Sequence, residues 1–160
     1  MRNLPSYTLT LTLILSNMKK LLFILPIFVV VLLFAARCAP GHGEGILFME
    51  DNWAAVVNKA KTEHKPIFLD ISASWCGPCK MLKRQTFTDN KVAAYFNANF
   101  VNASFDGEVG DGAMLANKFR VEAYPSLYIV DTNGRIISAS AGYMSAKELL
   151  KFGKNVFNGQ

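Results

Sequence analysis

Hydrophobic positions along the chain change period several times, and each change marks an element. Trp53, Val56, Val57 and Ala60 follow the i, i+3, i+4, i+7 spacing of one helix face, so residues 51–63 read as an amphipathic helix with Asp51 or Asn52 as N-cap. Pro66 then opens "PIFLDIS", an apolar run too short for a helix and dense enough for a strand buried on both faces. A helical stretch from Cys79 to about Phe87 follows, and Thr88 or Asp89 caps another that carries Val92, Ala93, Tyr95 and Phe96 toward the core. "FVNASFD" (100–106) reads as a second strand and "GAMLANKF" (112–119) as a short helix. "PSLYIVD" and "RIISASA" flank Thr132-Asn133-Gly134, where Asn-Gly predicts a tight hairpin turn and antiparallel pairing. Ser145 caps a last helix with Leu149, Leu150 and Phe152 on its apolar side. Strands separated by helices, then a hairpin and a terminal helix, make an α/β fold: a mixed central sheet flanked by helices on both faces.

The first 40 residues carry a different pattern. After Met18, two lysines precede an apolar run from Leu21 to Ala36 that ends in small residues, which is the order of a secretory signal. Its 16 residues fall between a signal core and a membrane span. Residues 1–40 are therefore read as a signal or membrane-anchor segment, with Met18 as an alternative start. Cys38 suggests lipid attachment, but Arg37 stands where the peptidase that prepares lipoproteins needs a small, uncharged residue. The folded domain is placed at 41–160, its packing beginning near Ile46 after the Gly- and Pro-rich "APGHGEG".

Charge changes the picture little. The net +5 is concentrated in the leader, which holds Arg2, Lys19, Lys20 and Arg37; the remainder sets 13 basic against 12 acidic residues. That near balance argues against a nucleic-acid footprint. Three cysteines, one of them in the leader, exclude a scaffold of several disulfides.

"WCGPCK" (75–80) carries the chemistry. With Cys76 just ahead of a helix and Cys79 in its first turn, the i, i+3 spacing brings two sulfurs within bridging distance. Free N–H groups at the helix start favour thiolate at Cys76, which is expected to be accessible and easily ionised. Pro78 is tolerated early in a helix and stiffens the ring that must close. A zinc site would need two more ligands, and only His42 and His64 remain, neither beside another ligand. The pair reads as redox-active, needing no metal and no cofactor.

The motif resembles the active site of the thioredoxin family, and the resemblance covers about residues 50–157. "FLDISASWCGPCK" is similar to that fold's central strand with an aspartate, Asp70, six residues before Cys76. "AYPSLYIVD" is similar to the segment whose proline forms a cis peptide facing the disulfide, and "CKMLKRQTFTDNKVAAYF" resembles the C-terminal domain of DsbD-type envelope thiol:disulfide interchange proteins. The resemblance implies that Cys76 attacks a target disulfide, Cys79 resolves the mixed disulfide, and Asp70, its pKa raised by burial, relays the proton of Cys79. It implies further that Trp75, Gly77 and Pro78 form the substrate face. Tyr124 would offer backbone hydrogen bonds to an extended substrate beside a cis Pro125.

Thioredoxins usually carry a buried lysine on the strand after the active-site helix; "FVNASFD" has none, which leaves Asp70 without that partner. The implied activity is an exported thiol–disulfide oxidoreductase of the bacterial periplasm or envelope, reducing protein disulfides with electrons from a membrane donor of DsbD type. Net oxidation or isomerisation, and a redox-inactive binding module or holdase, are the alternatives.

Overall fold

The computed structural model describes residues 45–50 and 52–157; the expected signal or anchor segment with Met18 and Cys38, the expected boundary at residue 41, His42 and Asp51 lie outside the described residues. Helix α1 (Trp53–Glu63) begins where the Asn52 side chain accepts from Ala55 N–H, and it ends at His64 in the left-handed region. Strand β1 (Ile67–Ser72) follows and is buried along its whole length. It runs parallel to β2 (Val101–Asp106) in the register Ile67↔Val101 to Ser72↔Asp106. On its other side it runs antiparallel to β3 (Ser126–Val130), with Ile67↔Val130 and Ile71↔Ser126. Strand β4 (Ile136–Ala141) completes the sheet, whose order is β2-β1-β3-β4.

β1 is central, so both of its faces need cover, and its alternation separates two cores. On one side Phe68, Leu127 and Ile129 pack with Val92 and Phe96 of α3 (Asn90–Asn99) and Leu149 and Phe152 of α5 (Ala146–Asn155). On the other, Ile67, Leu69 and Ile71 meet Val56 and Ala60 of α1 and Leu115 of α4 (Gly110–Phe119). Phe68 lies 4.6 Å from Phe96 and 6.0 Å from Phe87, centroid to centroid. Such pairs add about 0.5–1.5 kcal/mol beyond the area they bury. The mixed sheet is thus flanked by helices on both faces, as the pattern predicts.

The polar signals act locally. Asp89 caps α3 by accepting from Lys91 and Val92, and Ser145 caps α5 in a reciprocal box with Glu148. In the β3–β4 hairpin Gly134 has φ 81°, and the Asp131 carboxylate accepts from the N–H groups of Asn133 and Arg135.

Three details differ from the sequence pattern. The helix expected from Cys79 to Phe87 is α2 (Gly77–Met81) running into a wide turn, Leu82–Thr86, closed by Phe87 N–H donating to Leu82 C=O at 3.0 Å. That i to i+5 closure lets both Leu82 and Phe87 reach the core, which α-helical geometry would not. Helix α4 begins at Gly110, two residues before the expected start. Residues 46–50 extend the sheet beyond β2: Met49 N–H donates to Asn102 C=O at 2.9 Å, and Met49 bridges Ala103 in parallel.

Candidate active site

Topology gathers the site at one end of the sheet's strands. Because β1 and β2 are parallel, their ends at Ser72 and Asp106 meet there. Antiparallel β3 brings its beginning, Ser126 and the preceding Tyr124-Pro125, to the same end.

Past Ser72 the chain turns through Ala73, Ser74 and Trp75 into α2. Cys76 occupies the N-cap, its Sγ accepting from Cys79 N–H at 3.1 Å, with Pro78 in the first turn. Cys76 and Cys79 are joined in a disulfide with Cα atoms 5.3 Å apart. In this bridged form Cys76 is only 3% exposed, so the expected accessible sulfur is covered. The cysteines and Ala73 form a small apolar cluster with Tyr124 packed on it, and Trp75 meets the Tyr124 ring edge-on at 6.0 Å. Trp75 itself is 66% exposed. A Cβ at Gly77 would meet nothing within 4 Å, so the space beside the bridge is open. The Tyr124–Pro125 peptide is cis, and Pro125 C=O accepts from Gly142 N–H at 2.8 Å, tying this loop to the end of β4.

Asp70 sits on the Phe68 face of β1 and is 1% exposed. Its Oδ2 accepts from Ser104 Oγ at 2.9 Å, while Oδ1 is buried without a hydrogen-bond partner. Burial pushes the carboxyl up to about 6, against the opposing pulls of the Ser104 hydrogen bond and the positive charge of Lys83. The sequence reading leaves this carboxyl without a basic partner, because β2 has none. The cation comes instead from Lys83, on the wide turn after α2.

Sequence reasoning assigned no role at the site to Ser104, Lys83 or Glu108. Ser104 was accessible in principle: it lies opposite Asp70 in the parallel register, a polar residue facing a polar residue between apolar strands. Glu108, which accepts from Trp75 Nε1–H at 2.9 Å, carries no local signal, because its partner is 33 residues away.

A family model described as a thioredoxin-like domain matches residues 53–157. Over 99 residues the chain is 32% identical to the thiol:disulfide interchange protein DsbD of Yersinia pestis (strain Pestoides F), a match covering 60% of this chain and 17% of that protein. The solution structure of a candidate disulphide-isomerase from Bacteroides thetaiotaomicron superposes with a TM-score of 0.66 at 38% identity, covering 75% of this chain and 99% of the other. The oxidised C-terminal domain of DsbD from Neisseria meningitidis superposes at 0.53 with 21% identity, covering 67% and 91%, a likeness of fold.

Proposed function

The chain belongs to the thioredoxin-like family, and from that membership we propose that it is an exported protein-disulfide reductase of a bacterial periplasm or envelope. The observation that carries the proposal is the closed Cys76–Cys79 bridge at a helix start, just beyond the end of β1, the strand that carries the buried Asp70.

In the reduced enzyme the Cys76 thiolate attacks a substrate disulfide. The substrate S–S bond breaks, a mixed disulfide forms and one substrate thiolate leaves. Cys79 passes its proton to the Asp70 carboxylate and attacks Cys76 Sγ. The second substrate thiolate departs as the Cys76–Cys79 bond closes. Two electrons have moved to the substrate, and two solvent protons complete its thiols. A membrane donor of DsbD type then returns two electrons to the bridge, and residues 1–40 direct the chain to that compartment. Trp75, Gly77 and Pro78 form the docking face, and Tyr124 beside cis Pro125 aligns an extended substrate.

Reduction of insulin disulfides by the full chain tests this. Cys76→Ser and Cys79→Ser should each abolish turnover, and Cys79→Ser should retain covalent substrate adducts that dithiothreitol dissolves. Wild-type turnover in either serine variant would end the reading. Similarity to the Bacteroides protein favours isomerisation as a second reading. A reduction potential near about −270 mV supports the reductase, whereas one between about −120 and −180 mV supports oxidation or isomerisation.

A further inference from the structure

The relay leaves one step open: Asp70 receives a proton in each cycle and must lose it again, although it is 1% exposed. Its one hydrogen-bond partner among the described residues is the Ser104 hydroxyl. Ser104 in turn lines two adjoining clefts. The larger, about 560 Å³, has Glu50, Lys83, Asp106 and Asp111 among its walls. The smaller, about 220 Å³, is bounded by Phe48, Glu50, Lys83 and Phe87. Glu50, Lys83 and Ser104 are common to both. Either cleft is large enough for several waters, at about 30 Å³ each.

These positions converge by construction. Ser104 faces Asp70 because β1 and β2 pair in the register Asp70↔Ser104. Its backbone N–H donates to Met49 C=O at 3.3 Å, which holds residues 46–50 over the strand and brings Glu50 to the cleft. The wide turn carries Lys83 to the same walls, because its core-facing residues Leu82 and Thr86 are anchored inward.

We infer that Ser104 is the proton gate of Asp70 and that Lys83, across the cleft, is its charge partner; both are positioning residues for the relay proposed above, on which this inference rests. After Cys79 has given up its proton, the protonated Asp70 carboxyl passes a proton to Ser104 Oγ as the Ser104 hydroxyl releases its own to water in the cleft. The hydroxyl then rotates back to donate to the carboxylate. One proton leaves Cys79, one enters solvent, and Ser104 is unchanged. Lys83 favours the carboxylate after the transfer and so resets the base. Glu50, Asp106 and Asp111 line the same cleft with negative charge and oppose it. A lysine on the turn thus does from the helix side what "FVNASFD" does not do from the strand.

The test reads Asp70 directly, by NMR titration of its carboxyl carbon in the oxidised full chain. Ser104→Ala should raise the midpoint by about one pH unit, the order of a hydrogen bond to a charged group. Ser104→Thr, which keeps the hydroxyl, should stay close to wild type. Lys83→Glu should raise it by about half a unit, discounted because Lys83 is exposed, and about 1 M salt should shrink that shift.

Rapid-mixing measurement of mixed-disulfide release supplies the second readout. With the midpoint one unit higher, Ser104→Ala should slow release about tenfold at pH 5 and about twofold at pH 7. Midpoints unmoved by Ser104→Ala and by Lys83→Glu would overturn the inference. So would normal release in a folded Ser104→Ala variant whose midpoint had moved. If Asp70→Asn leaves the pH profile of release as in wild type, it is the relay itself that fails, an outcome separate from the carboxyl titration.

Discussion

Trp75 donates its indole Nε1–H to the Glu108 carboxylate at 2.9 Å, and the same ring meets Tyr124 edge-on. Glu108 is held in turn, its N–H donating to Asp106 Oδ1 at 3.0 Å. Three segments distant in sequence therefore fix the exposed indole beside the cysteine pair. The contact is exposed and contributes little to folding, so its consequence lies in holding the Trp75 ring, which preorganises the docking face proposed above.

Glu108→Ala should accordingly raise KM for protein disulfides several-fold with kcat nearly unchanged. The urea midpoint should move by less than about 1 kcal/mol equivalent. Tryptophan fluorescence anisotropy supplies an independent reading: it should fall as the ring gains freedom. A lowered kcat at unchanged KM would show that Glu108 acts in the chemistry instead.

Asp70 makes stability depend on pH with a defined sign. Its carboxyl titrates near 6 in the folded chain against an ordinary 3.8. Between those values the folded chain holds a proton that the unfolded chain has lost, so stability falls as pH rises through the window. Above about pH 6 the deficit levels at about 3 kcal/mol, and below about pH 4 it vanishes. Asp70→Asn should be more stable than wild type at pH 7, with the gap closing toward pH 4 in urea titrations. A gap that widened on acidification would contradict the assignment.

How much of this was legible in the sequence depends on the range of each interaction. Caps at Asn52, Asp89 and Ser145 and the hairpin at Asn133-Gly134 act within a few residues, and the chain spells them out. The buried run of β1 and the CGPC spacing are also local, and they placed the sheet centre and the redox pair. Tyr124–Pro125 is different: nothing local demands a cis bond, and its expectation came from family resemblance alone. The wide turn at Leu82–Thr86 was not legible, because it answers to core partners on α3 and α5 that periodicity within the turn does not reveal. The Ser104 and Lys83 environment of Asp70 required knowing which strand lies beside β1 and which helix face turns toward the cleft.

Glycines divide sharply by surroundings. A Cβ at Gly112 would collide with the backbone carbonyl of Asp106, where α4 crosses the end of β2, and backbone cannot swing aside as a side-chain tip can. Gly112→Ala should cost about 1–3 kcal/mol in urea unfolding, the range of overpacked sites. Gly77→Ala, at an open position, should fall within about 0.5 kcal/mol of wild type. Equal costs at the two positions would mean that α4 can shift off β2 freely.

Thr86 closes the wide turn onto the rest of the fold. Its residue is fully buried, and Oγ1 donates to Met144 C=O at 2.6 Å, linking the turn to the segment just before α5. Valine would fill nearly the same volume but remove the donor, leaving a partly buried carbonyl without that partner; the loss should be about 1–3 kcal/mol. Thr86→Ser keeps the hydroxyl and removes a buried methyl, a loss of about 1 kcal/mol by transfer alone. The bond dominates if Thr86→Val is the less stable of the two in urea unfolding. The reverse order would mean that methyl packing, rather than the tie to Met144, fixes the turn and with it the position of Lys83.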